Sequence, residues 1–157
     1  MALTQRRLEQ LRTDPLHRVE LESGKSGAPF AAWLTERGAV PGWLGVALVA
    51  AWVAFLPLAY VLEPAPARAA AVPAWVVLLE LVFTTALVAA AVGLAGRQRL
   101  GLVASVAGAG VALVAAVTCP LSGHHAAVGP WWYAQTAGFL ALGGVSLAGL
   151  RASRSRS

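Results

Sequence analysis

Four stretches of about twenty residues each run almost without charge, and nothing else in the sequence constrains its folding as strongly. They cover residues 42–62, 74–95, 100–118 and 131–150, and the only charged side chain among them is Glu80. A bilayer core about 30 Å thick is crossed by roughly 20 apolar residues in helical form. Backbone groups in lipid must be satisfied within their own segment, so such stretches are helices, and period-two strand patterning is absent. The expected fold is an all-α integral membrane protein. Short connections make neighbouring helices antiparallel, giving a four-helix transmembrane bundle that runs up-down-up-down.

Composition excludes the soluble alternative. Of the 157 residues, 58% are hydrophobic and 12% charged, against about 45–50% and about 25% in a soluble domain. A water-facing surface cannot be assembled from so few polar side chains. The net charge of +5 does not point to nucleic acid, because the basic residues flank apolar runs and do not gather on one face. The single cysteine, Cys119, excludes an intramolecular disulfide and any CxxC pattern. No cleavable leader is expected at the polar N-terminus MALTQRRLEQLR, so the first span should insert directly and stay.

Basic residues set the expected orientation. Arg6, Arg7, Arg12, Arg18, Lys25 and Arg37 precede the first span, Arg97 and Arg99 sit in the GRQR turn, and Arg151, Arg154 and Arg156 follow the last span. With four crossings these eleven fall on one side and only Arg68 on the other. Positive charge stays in the cytoplasm. The chain is therefore expected as a multi-pass protein of the cell membrane with both termini and the GRQR turn cytoplasmic. Trp43, Tyr60, Trp75, Trp131, Trp132 and Tyr133 lie near span ends, where amphipathic rings favour the headgroup level. Pro57 should kink the first span near its outer end.

The third span is rich in small residues. Gly101, Ser105 and Ala109 form one four-residue ladder, and Ala104, Gly108 and Ala112 another; Gly144 and Ala148 repeat the spacing in the fourth. Such ladders let helix backbones approach closely in lipid. They serve packing within the bundle, or packing against a second copy of the chain or another subunit.

Three regions follow: a cytoplasmic arm (1–41), the transmembrane domain (42–150) and a basic tail (151–157). The arm is too small and too polar for a core. Leu8 and Leu11 share a face of one short helix ended by Pro15, and Phe30, Trp33 and Leu34 fall at i, i+3, i+4 of another. The arm reads either as a membrane-surface lead-in or as a segment that binds a soluble cytoplasmic partner. It holds no phosphate loop and no nucleophile–base pair, so no catalytic residue is assigned and the chain is not expected to be an enzyme.

The loop TCPLSGHHAAVGPWWY between the third and fourth spans falls on the outer side. Cys119, His124 and His125 offer a thiolate and imidazoles suited to copper or zinc. Adjacent histidines rarely bind one ion together, so a closed site needs further donors. Glu80, about 9 Å inside the outer end of its span, is the natural addition, since an intramembrane carboxylate is costly and counts as a functional hypothesis. The plainer reading makes Cys119 a small apolar residue, leaves the histidines solvated and protonates Glu80.

The stretch from about Val106 to Arg151 resembles the C-terminal region of polytopic membrane anti-sigma factors, which hold an extracytoplasmic-function sigma factor at the bacterial inner membrane. The shared features are a small-residue span running into Cys119-Pro120, a histidine-containing loop, Trp132-Tyr133 and a Gly/Ala-rich last span ending in arginines. The resemblance implies that Cys119 with His124 or His125 senses a signal while residues 1–41 bind the partner. The match covers under a third of the chain, and that family usually has six spans where this chain has four. Three functions stay open: a membrane sensor and regulator, a structural or accessory subunit of a larger membrane complex, and a small metal- or cofactor-binding membrane protein.

Overall fold

A computed structural model describes residues 28–65, 73–121 and 128–155. Among these residues there are five helices and no strands: α1 (Ala28–Thr35), α2 (Gly42–Leu62), α3 (Ala74–Ala95), α4 (Arg99–Leu121) and α5 (Pro130–Arg154). The chain divides into two units, Met1–Thr35 and Glu36–Ser157. The first contributes α1, in which Phe30 stacks on Trp33 at 5.9 Å and the Thr35 hydroxyl donates back to the Ala31 carbonyl.

In the second unit α2, α3 and α4 are each long and apolar enough to cross a membrane. Helix α5 has the length, but Gln135, Thr136, Ser146 and Arg151 dilute its apolar content, and it is not among those three. Large apolar side chains stand on the outside of all four, Val46, Val53 and Leu58 on α2 and Val77, Leu81 and Val88 on α3 among them. So much exposed apolar surface is what a lipid-facing exterior presents and a water-soluble monomer rarely does.

Helix α3 packs on α4, α4 on α5, and α2 on both α3 and α5. Backbone meets backbone between α3 and α4. A Cβ at Gly93 would lie 2.4 Å from the Gly101 nitrogen, and one at Gly101 would lie 2.3 Å from the Leu94 nitrogen. Leu44, Leu48 and Trp52 of α2 meet Leu94, Leu102, Ala109, Phe139 and Leu142 in the core. The Trp52 ring lies edge-on to Phe83 and tilted against Phe139, and Phe55 stands perpendicular to Phe139.

The small-residue ladders divide by face. Gly101, Ser105, Gly108 and Ala109 are all buried, with Gly108 beside Ala86 of α3 and Ala109 beside Gly143 of α5. Gly144 has nothing within 4 Å of its Cβ position, and Ala148 is exposed. The contacts from α5 are made instead by Gly143 and Gly149, each one residue away, because a shift of one residue turns a helix side chain by about 100°. Pro57 lies inside α2 without ending it.

Candidate functional site

Polar groups concentrate at three levels of the helical unit. At the end carrying the GRQR turn, α3 closes with paired backbone bonds, Arg97 N to Leu94 O (3.0 Å) and Gln98 N to Gly93 O (2.8 Å). This is the Schellman pattern, whose residue past the helix cap adopts the left-handed conformation. That residue is Arg97, at φ 56°, where glycine would carry less strain. What the arginine adds is a grip on the segment entering α2. Its Nε donates to the Val40 carbonyl at 3.2 Å, and the Val40 nitrogen donates to the Arg97 carbonyl at 3.1 Å.

Arg99 works beside it. Its side chain is 3% exposed, yet it pairs with Glu36 and donates to the Ser153 carbonyl at 3.0 Å. One guanidinium therefore ties together the start of the unit, the first residue of α4 and the last turn of α5. A buried cation is tolerated only when it is paired and hydrogen-bonded, and here it is both.

At mid-height a hydrogen-bond chain crosses three helices. Trp52 Nε1 donates to Ser105 Oγ (2.8 Å), Ser105 and Ser146 share a bond at 2.8 Å, and Ser146 Oγ donates to the Leu142 carbonyl at 2.8 Å. One direction of donation satisfies every member. Ser105 thus fills a ladder position and also holds the indole of α2.

At the opposite end α5 supplies two side-chain donors to its neighbours. Pro120 has no N–H for the Ala116 carbonyl, and Trp132 Nε1 supplies the missing donor at 2.7 Å. Near the end of α2, Gln135 Nε2 of α5 adds a second donor to the Ala59 carbonyl at 2.9 Å and so ties the two helices together. Cys119, half-buried, sits one residue before that proline. The carboxylate whose field reaches it is Glu63, the C-cap residue of α2.

Of the expected sensing residues, the structure describes Cys119 and Glu80. His124 and His125 lie outside the described residues, as do Leu8 and Leu11 of the arm. Glu80 is exposed on α3 beside Leu78 and Leu81. Among the described residues no three His, Cys, Asp or Glu side chains gather closely enough to hold a metal ion. Glu63 was missed from the sequence, although an acid just past the end of the first apolar run is placed on the Cys119 side by any antiparallel arrangement. In α1, Phe30 is exposed and Trp33 and Leu34 are half-buried.

Compared with protein-family models, with curated proteins and with solved structures, the chain matches none.

Proposed function

We propose that this chain is a four-span protein of the cell membrane, with both termini and the GRQR turn in the cytoplasm, which holds a soluble cytoplasmic regulator through residues 1–41. In this reading α5 is the fourth span, and the four antiparallel helices form one bundle. The basic residues that flank the spans support the orientation, and the apolar exterior of α2 and α3 supports the lipid setting. The observation that carries the regulatory reading is the grip on residues 36–40 by Arg97 and Arg99. It fixes where the arm leaves the bundle and joins that exit to the last turn of α5, so a change in how α5 packs reaches the arm. The far end of α5 supplies Trp132 to the Ala116 carbonyl just before Cys119-Pro120, where the anti-sigma resemblance puts sensing. A copper or zinc ion on Cys119 and His124 or His125 is the signal this chemistry fits best.

The test is a pull-down from mild detergent with the full chain and with a variant lacking residues 1–41. Recovery of a soluble regulator only with the arm present supports the proposal. Recovery of the same membrane proteins by both chains sinks it in favour of an accessory subunit. One observation favours that second reading: Gly144 and Ala148 form a small-residue ladder with open space before it, the kind of stripe against which another transmembrane helix packs.

A further inference from the structure

The cleft between α2 and α3 opens into a groove of about 250 Å³. Val49, Val53 and Leu56 of α2 and Leu87, Ala91 and Leu94 of α3 wall it, with Trp52 beside them. It starts at Leu94, three residues before Arg97, and its α2 wall from Val49 to Leu56 runs about 10 Å toward the middle of the bundle. Arg97 spans the same cleft at the turn end, since its side chain leaves the end of α3 to reach the Val40 carbonyl and passes 3.8 Å from the Cβ position of Gly42. Only Nε is used in that bond, and among the described residues the two Nη groups have no hydrogen-bond partner.

We infer that this groove is a site for one anionic phospholipid of the cytoplasmic leaflet, its acyl chain lying between α2 and α3 and its phosphate on Arg97. The inference rests on the membrane reading above. A zwitterionic lipid would fill the groove equally well, but the Arg97 guanidinium at the turn end of the cleft favours net negative charge. The exposed Trp43 at the first turn of α2 is placed for the headgroup level.

Native mass spectrometry of the full chain, released from bilayers of equal phosphatidylglycerol and phosphatidylcholine, reads the preference directly. The wild type should retain one phosphatidylglycerol well above the mixing ratio. Arg97→Gln should cut that preference by about fivefold, the worth of one basic group at an anionic surface, while phosphatidylcholine is still retained. Ala91→Trp, at an exposed position that lines the groove, should lose both lipids without loss of helical content. Retention at the mixing ratio, a preference unchanged in Arg97→Gln, or full retention by Ala91→Trp would each overturn the inference. Alkaline carbonate extraction is run first. If it releases the chain from membranes, the membrane reading falls and this site with it; an inserted chain with no lipid preference overturns the lipid site alone.

Discussion

Trp132 completes the helix that Pro120 interrupts: its indole N–H donates at 2.7 Å to the Ala116 carbonyl, the acceptor that a residue with an N–H at position 120 would have filled. The two residues are coupled through one oxygen. Trp132→Phe keeps the ring but drops the donor, and should cost about 1 kcal/mol in reversible unfolding in mixed micelles. Pro120→Ala restores a helical N–H to the same carbonyl, so the double variant should lose less than the sum of the two. Strict additivity in that cycle would show that the bond carries no energy.

Gly93 and Gly101 meet where neither side can yield, because the atoms within 2.4 Å of either Cβ position belong to backbone. Gly93→Ala and Gly101→Ala should each destabilise by about 1–3 kcal/mol or more through forced separation of α3 and α4. Gly110→Ala and Gly144→Ala, where nothing lies within 4 Å, should stay within about 0.5 kcal/mol of the wild type. Equal losses at all four positions in a thermal unfolding series would argue against this helix packing.

The glycine contrast also marks what the sequence makes legible. The bounds of α2 and α3 follow from the lengths of their apolar runs, and four-residue spacing identifies a small-residue stripe. Spacing does not say which way a stripe faces: Gly143 and Gly144 are adjacent, and only the rotation of α5 against α4 decides that the first packs and the second does not. The same limit hid the chain from Trp52 to Ser146, which needs the register of three helices at once. Trp132 reads as an interfacial ring by position, and its role as a donor emerges only when its indole is set against the carbonyl stripped by Pro120. For Cys119 the sequence supplies chemistry without neighbours, and the influence of Glu63 on it depends on how the ends of α2 and α4 lie together, which spacing along the chain does not give.

Ser105 accepts from Trp52 and bonds to Ser146, so its hydroxyl serves two partners while Ser146 has an alternative in the Leu142 carbonyl. Ser105→Ala should therefore destabilise more than Ser146→Ala, by about 1–3 kcal/mol for the indole N–H left unpaired. The loss should also shift tryptophan emission, measured in a background where the other tryptophans are replaced by phenylalanine. Equal effects of the two variants would mean that Trp52 finds another partner.

Arg99 and Glu36 form an unequal pair, with side chains 3% and 55% exposed. Glu36→Gln keeps an amide oxygen that can still accept from Arg99 and leaves the bond to Ser153 in place, so it should cost only about 1 kcal/mol. Arg99→Gln removes the buried hub and leaves the Ser153 carbonyl without this donor, so it should cost more and raise proteolysis near residue 36. Added salt should weaken the wild type slightly and leave Glu36→Gln unchanged. A larger loss in Glu36→Gln than in Arg99→Gln would mean that the exposed carboxylate, and not the buried guanidinium, holds this junction.

Cys119 offers a direct test of orientation because it is the only thiol in the chain. It lies at the end of α4 opposite the GRQR turn and is half-buried, so a membrane-impermeant maleimide should reach it slowly from the outer face and not from the cytoplasmic face. Right-side-out and inverted vesicles separate the two directions, with Cys119→Ser as the blank. Labelling confined to right-side-out vesicles fits the orientation set by the basic loops. Labelling confined to inverted vesicles would turn the bundle over and place Cys119, His124 and His125 in the cytoplasm, where a sensor of external signals has no use for them.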